Sequence, residues 1–524
     1  MIRARLVPML LLVLPIALAG CVTREGVYED VAASRQASYQ GWLKTQEKEA
    51  KSEEKLSGTL SLADALDLAL IHNRDIQSAV EGQIIGKGRV WEGYSEALPK
   101  LTGTASYRRL DRTPATSTPP TTLTIGKPPD TTTLTIAGST IVLGSKDNYS
   151  VNLALSQPMF HGGQIIASIN SGLIFSFITD EQLRATVDQV IYAAAHAYFD
   201  ALLAKKLYDA DFEALNSAEA HLKDVLKRKE AGVATQIGVL RAQVEVANTR
   251  ADMLRQDDSR KLGIARLLRV MGVSQQSDVT LSEELEYRPI RPALEAAVKS
   301  AYEKRPDVYL AELDVRIREE AVRLARSKYF PFVDAGFTQL WAKPDPNNSS
   351  HNDWGRQWFA GIGATWFIFD GFRREAQVLE AKAILRQTQI QLADTEQRAQ
   401  LEVTQALTSL RDAEEQIEAQ KSNAERAREG LRLAMVGYPE VTTGVEVTDA
   451  RAALVRAEGV RWQAIYAHQI ARLDLQKAMG LLSPAPRSQQ VPRTAPKPGD
   501  IPEFMGTVPS PAAPRSETDG TRGD

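Results

Sequence analysis

One cysteine occurs in 524 residues, so no intrachain disulfide can form and non-covalent packing has to hold the fold. The six histidines (His72, His161, His196, His221, His351, His468) form no close pair at the spacing of a metal site. Aromatic residues are only 6% of the chain, which disfavours a thick globular core and suits long helices. The net charge is -3, so there is no electrostatic footprint for nucleic acid. No apolar run of about 18 residues occurs beyond the N-terminal segment, so a transmembrane helix is excluded and any later membrane segment has to be β. Catalytic signatures are missing too. Gly82-Gln83-Ile84-Ile85-Gly86-Lys87-Gly88 approaches a phosphate loop but is one residue short and lacks Ser or Thr after Lys87. No enzyme, metal or cofactor is expected.

The N-terminus reads as a processing signal. Arg3 and Arg5 precede the apolar stretch Leu6–Leu18, which is too short to span a bilayer and ends in Leu18-Ala19-Gly20-Cys21. This pattern resembles a bacterial lipobox, implying a signal peptide over 1–20, cleavage before Cys21, and lipid attachment at Cys21. Several acyl chains, at roughly 0.8 kcal/mol per buried CH₂, anchor firmly. Residues 21–57 would form an anchored extension. Residues 481–524, rich in Pro, Ser and Thr, are expected to be a disordered tail.

Between these ends the chain repeats itself. At a constant offset of 232, Leu62 meets Leu294, Ala65 meets Ala297, Ala69 meets Ala301, Asp75 meets Asp307 and Pro99 meets Pro331. Phe160-His161-Gly162 answers Phe369-Asp370-Gly371, and Met271-Gly272 answers Met479-Gly480. The period is too long for a solenoid and indicates a duplicated unit, 58–272 and 273–480.

Each unit holds the same series. Leu60–Leu98 reads as one helix capped by Ser61 and stopped by Pro99. Residues 100–108 and 149–157 alternate as strands, with Leu101, Gly103, Ala105 and Tyr107 on one face and Thr102, Thr104 and Ser106 on the other. Asp111–Lys146, dominated by Thr and Pro, reads as a long exposed loop. In the second unit 332–342 and 356–369 alternate likewise, and Trp341, Trp358 and Trp366 suit a bilayer interface. Alternation alone fits a soluble half-buried sheet equally well; the export signal favours the membrane. Gln164–Glu230 has no Pro, and 372–436 is of similar length. At 1.5 Å per residue each reaches roughly 100 Å. They turn near Gly232 and Gly437 and return through 237–271 and 445–479, as a coiled-coil stalk.

Two hairpins supply four strands, too few to enclose a lumen. Open edges in lipid leave backbone groups unpaired at several kcal/mol each, so copies have to associate. Three chains give twelve strands, the smallest assembly that leaves a channel.

In its ordered series of motifs the chain resembles the TolC/OprM family of outer-membrane efflux ducts. The carriers are Leu62-Ala63-Asp64-Ala65-Leu66 with Asn73 and Asp75, Ala97-Leu98-Pro99, Ser156-Gln157-Pro158-Met159-Phe160-His161-Gly162-Gly163, Ala231-Gly232-Val233-Ala234-Thr235, and the Met-Gly closing each repeat. The resemblance implies an α+β membrane protein: a homotrimer with a 12-stranded outer-membrane β-barrel and long antiparallel helices forming a periplasmic α-barrel. It implies a passive exit duct, with a periplasmic adaptor and an inner-membrane transporter, of RND type on the strength of the lipobox. It also implies an acidic aperture gate at Glu446 and Asp449, which share a helix face, with Arg241 as a replacement latch. The stalk tips Gly232, Val233, Ala234, Thr235, Gly437 and Thr443 would contact the adaptor. Without the resemblance, Glu446 and Asp449 read as solvated acids at a helix start. A type I protein-secretion duct and a poreless lipid-anchored coiled-coil scaffold stay open as alternatives.

Overall fold

The computed structural model describes residues 31–41, 43–44, 57–142, 144–348, 352–437 and 443–482. The signal segment with Cys21, most of the anchored extension, and the tail from 483 onward lie outside the described residues.

Each repeat opens with two short helices. In the first, strand β1 (Ser57–Leu60) precedes α1 (Leu62–His72) and α2 (Arg74–Ser95). Ser61 caps α1 in a reciprocal box with Asp64, satisfying amides that would otherwise be orphaned. The expected single helix over Leu60–Leu98 is broken at Asn73. That residue is extended (ψ 132°), and its side-chain oxygen accepts from the amides of Asp75 and Ile76 to start a new helix.

The strands and long helices follow. Strand β2 (Lys100–Arg109) leads into β3 (Ala115–Ser117), β4 (Thr121–Ile125), β5 (Thr132–Ile136), β6 (Thr140–Val142) and β7 (Asp147–His161). Helix α3 (Gln164–Glu230) has 67 residues, and α4 (Gln236–Met271) returns beside it. The second repeat adds β8 (Asp278–Leu281), α5 (Leu294–Lys304), α6 (Pro306–Ser327), β9 (Phe332–Lys343), β10 (Gly355–Thr365), α7 (Arg373–Val436) and α8 (Gly444–Ala478).

The duplication is closest at the hinge between the short helices. Asn73 and Arg305 occupy the same position, and both are extended. Beneath them Ala65, Ala69, Ala297 and Ala301 are fully buried. Each hinge docks on the end of a returning helix. Asn73 Nδ2 donates to Val270 O at 2.8 Å, while Arg305 donates to Ala478 O and pairs with Asp307 and Glu402 at 2.7 and 2.6 Å. Backbone meets backbone there. A Cβ on Gly272 (φ +75°) would sit 2.4 Å from His72 O, and one on Gly480 (φ +66°) 2.8 Å from Arg305 N.

Helix α3 is the spine of the helical layer, touching α2 and α4 on one side and α6 and α8 on the other; α7 lies beyond, against α6 and α8. Small residues permit this close approach: Gly263 of α4 faces the Ala201 backbone of α3, where a Cβ would sit 3.3 Å from Cα. The largest core gathers Tyr198, Leu202, Leu267, Leu268 and Met271, and the Tyr198 hydroxyl donates to Leu60 O at 3.0 Å. Strands β1 and β8 pair in parallel over this core.

Four strands make one antiparallel sheet in the order β10-β9-β7-β2, leaving β10 and β2 as edges. The Asp111–Lys146 segment is not an irregular loop. Strand β3 pairs with β6 and β4 with β5, because the β-branched repeat Thr-Thr-Leu-Thr-Ile occurs at both 121–125 and 132–136 and folds on itself. The last strand ends at Thr365 rather than Phe369, because its partner β9 starts only at Phe332, after Pro331.

These contacts predict how three substitutions behave. Gly272→Ala combines a left-handed backbone with a clash against His72 O and should destabilise by at least about 1–3 kcal/mol. Gly82→Ala, half-buried in a helix interior with open space for a Cβ, should be neutral or stabilising by up to about 1 kcal/mol; thermal denaturation compares them. His468 on α8 is fully buried, neither ring nitrogen is hydrogen-bonded, and the Tyr287 ring stands edge-on at 4.9 Å. Burial pushes its imidazole pKa below the usual value, and Glu414 opposes the shift without cancelling it. Below about pH 6.5 the unfolded chain therefore binds a proton that the folded one refuses, so stability should fall from pH 7 toward pH 5. His468→Leu should reduce that slope in melts across the same range.

Candidate functional site

The end of the stalk is built from two helical turns with different caps. Residues 231–235 join α3 to α4, and 437–443 join α7 to α8, two residues more. In the first, Gly232 is left-handed (φ +75°), the Val233 amide returns to Arg228 O, and Thr235 caps α4 by accepting from Gly238 N. Val233 is three-quarters exposed (75%) and Ile237 is exposed beside it, while Ala234 turns inward onto Val225, Val239 and Ala242. In the second, Gly437 ends α7 and residues 438–442 lie outside the described residues.

Glu446 and Asp449 are both exposed on the first turns of α8. Glu446 also holds the helix start together. Its carboxylate accepts from Thr443 N at 2.7 Å while Thr443 Oγ1 accepts from Glu446 N, a capping box. Arg241 is exposed on α4, and no hydrogen bond or ion pair among the described residues joins it to Glu446 or Asp449. One turn beyond Arg241, however, Glu245 makes a clasp to α8. Its carboxylate lies 2.5 Å from Arg451 Nη1 and accepts from Thr448 Oγ1 at 3.2 Å. Both charged side chains are nearly covered, at 6% and 12% exposure for Arg451 and Glu245. His221 of α3 adjoins the pair; burial first, and then the Arg451 charge, push its pKa below the ordinary value. Within one chain, then, the ion pair that joins α4 to α8 at this end is Glu245–Arg451. No spacing rule could find a pair 206 residues apart in sequence.

At the other end, register sorts the sheet into two faces. Leu101, Gly103, Ala105 and Tyr107 lie opposite Leu155, Leu153, Val151 and Tyr149. Val151 and Leu155 then lie opposite Trp341 and Phe337, and Phe337 opposite Ala360. All the large residues here are exposed, so an apolar face without cover runs across four strands. The opposite face carries Thr102, Thr104, Ser106, Ser150 and Asn152, with Ser106 and Ser150 hydroxyls 2.8 Å apart. Aromatics gather at both ends. Near the loops the Tyr107, Tyr149 and Trp354 rings meet in series, tilted, with centroids 4.9 and 6.2 Å apart. Near the helices Phe160 meets Phe330, and Trp366 Nε1 donates to Tyr329 O at 3.1 Å. Trp358 sits between, stacked on Phe337. From Tyr149 to Phe160 is eleven residues, roughly 36 Å along the strand, or about 26 Å of height at 45° tilt, close to the apolar band of a membrane barrel.

This geometry has relatives. The sequence profile described as outer membrane efflux protein matches residues 65–273 and again 297–481. The chain belongs to the outer membrane efflux protein family. It is 21% identical over 437 residues to the toluene efflux pump outer membrane protein TtgC of Pseudomonas putida, covering 80% of this chain and 83% of that one. It is 25% identical over 340 residues to outer membrane protein OprJ of Pseudomonas aeruginosa, covering 64% and 70%. The Campylobacter jejuni CmeC outer membrane channel superposes with a TM-score of 0.64 at 16% identity, over 80% of this chain and 86% of that one. The open state of the Neisseria gonorrhoeae MtrE outer membrane channel gives 0.63 at 20%, over 80% and 89%. This efflux protein is an α+β outer-membrane channel, not an enzyme. No described helix is long and apolar enough to cross a membrane. Among the described residues no group of His, Cys, Asp and Glu is arranged to hold a metal.

The clasp makes a stability prediction. Arg451→Leu leaves the nearly buried Glu245 carboxylate uncompensated and should weaken the tip by about 3–5 kcal/mol. Glu245→Leu in addition should recover most of it. Hydrogen exchange in the first turns of α4 and α8 reads both, and equal loss in the single and double variants would contradict a clasp.

Proposed function

We propose that this efflux protein is the exit duct of a tripartite pump, passing substrates from an inner-membrane transporter of RND type through a periplasmic adaptor to the exterior. The observation that carries the reading is the pair of open edges running the length of one chain. Strands β2 and β10 have unpaired backbone on their outer sides. Below them the outermost helices bear exposed apolar residues, Ile84, Ile85, Leu254 and Leu262 on α2 and α4, and Leu379, Ile390 and Leu401 on α7. Two different edges that must be covered make a heterologous contact, which forms a ring when its rotation closes. Three copies give a wall of twelve strands with Thr102, Thr104 and Ser106 turned to a watery lumen and the apolar face to lipid. Trp341, Trp358 and Trp366 then lie in or against the membrane, with Trp341 and Trp366 at its two interfaces. Cys21 carries the lipid anchor.

The aperture is the narrow end of the helical ring. Glu446 and Asp449 from three copies place six carboxylates around it, attracting cations and repelling anions. The Glu245–Arg451 clasp holds α8 on α4, so widening the aperture requires it to part. The adaptor engages the stalk tips at Gly232, Val233, Ala234, Thr235, Gly437 and Thr443, where Val233 and Ile237 offer exposed apolar surface. Relatives named as components of efflux pumps support a pump rather than another export system.

Purified protein should be trimeric in detergent and pass a cation-selective current in planar bilayers. Glu446→Gln with Asp449→Asn should raise conductance or shift selectivity toward anions. Glu245→Gln should increase the open fraction without altering selectivity. A monomer, or a folded sample without current, would overturn the duct.

A further inference from the structure

The β2–β7 ladder continues past the sheet as an arm. Beyond Arg109 and Asp147 the Leu110 amide donates to Lys146 O at 2.7 Å, β3 pairs with β6, the Thr118 amide donates to Ser139 O at 2.9 Å, and β4 pairs with β5 up to the Gly126–Thr131 turn. Each side of the arm, 110–126 and 131–146, spans about 50 Å if fully extended.

Register gives the arm two unlike faces. Thr122 lies opposite Thr135 and Thr124 opposite Thr133, so one face is all threonine. Leu123 lies opposite Leu134, with Ile125 and Ile136 flanking them on the same face. These four apolar side chains are 48–58% exposed, and among the described residues no other element packs extensively on the ribbon. A two-stranded ribbon in water with a bare apolar face is marginal by itself. Residues 113–126 and 131–145 contain no charge, so identical arms do not repel, and a charged partner finds no counter-charge. Uncharged β-branched strands of this type associate most readily with their own copies.

The base of the arm decides which copy is in reach. It grows from β2, the edge strand at the subunit boundary of the proposed duct. Equivalent strands of neighbouring copies are four strands apart, about 19 Å along the wall, well within the arm's length. We propose that the three arms of one trimer close on each other through Leu123, Ile125, Leu134 and Ile136, forming a hood over the outer mouth. The hood presents threonine outward and screens the lumen from large external molecules. It rests on the trimeric duct and adds a contact between copies that neither the barrel nor the helices supply.

Single cysteines test it in the otherwise unchanged lipoprotein, whose one native cysteine is the proposed acylation site. Under mild oxidation Leu123→Cys and Ile136→Cys should give covalent dimers at least tenfold faster than Thr124→Cys on the opposite face, at a rate unchanged by dilution. Light scattering of the same samples reports the trimer independently. A trimeric sample in which Leu123→Cys and Ile136→Cys cross-link no faster than Thr124→Cys overturns the hood alone. Cross-links that vanish on dilution place the contact between trimers and overturn it as well. A monomeric mass removes the duct and the hood together.

Discussion

A backbone amide or carbonyl in hydrocarbon has no water to turn to, and this one constraint organises the molecule. The four-stranded sheet satisfies its inner strands through the β7–β9 and flanking ladders, but β2 and β10 keep one open side each. In an outer membrane efflux protein this apolar face suits lipid, where open sides can be closed only by more strand. The same polarity of edges is repeated in the helical layer, where α2 and α4 flank one side and α7 the other. In the proposed duct, sheet and stalk therefore share one subunit boundary, and closing the barrel lines up the helices beneath it.

Duplication preserved geometry more faithfully than chemistry. Asn73 and Arg305 break their helices at the same point and meet the same end of a returning helix, against Gly272 and Gly480. Asn73 does so by capping; Arg305 does so as a buried cation between Asp307 and Glu402. Burial would raise the Asp307 pKa, but the Arg305 guanidinium prevails and holds it below the ordinary value. At the stalk tips the divergence continues. Thr235 and Thr443 both cap, but only Thr443 has a carboxylate three residues on to complete the box. Glu446 is thus a local structural residue as well as an aperture candidate, whereas Asp449 takes no part in the cap.

Much was legible in the chain itself, for identifiable reasons. Repetition at 232 residues, strand alternation and the long proline-free stretches are periodic features, and periodicity follows from local geometry alone. The Ser61 cap was readable because a cap lies within one turn of the helix it starts. The break at Asn73 was not, because asparagine inside an apolar helical period does not declare whether its side chain will cap or point to water. The ribbons between Asp111 and Lys146 were hidden because Thr and Pro dominate turns as well as exposed strands, and only pairing distinguishes the two.

What the linear order determined is therefore the inventory: two copies of a unit with amphipathic strands, long helices, and a Gly-bearing turn at each end. All of these depend on residues within a few positions of one another. Tertiary structure alone decided which side chains meet across the copies. Glu245 finds Arg451 and Thr448 only after two helices of different repeats are laid side by side, and Val151 finds Trp341 only once β7 and β9 are in register. Such contacts depend on the packing of whole elements, whose relative placement no local pattern encodes.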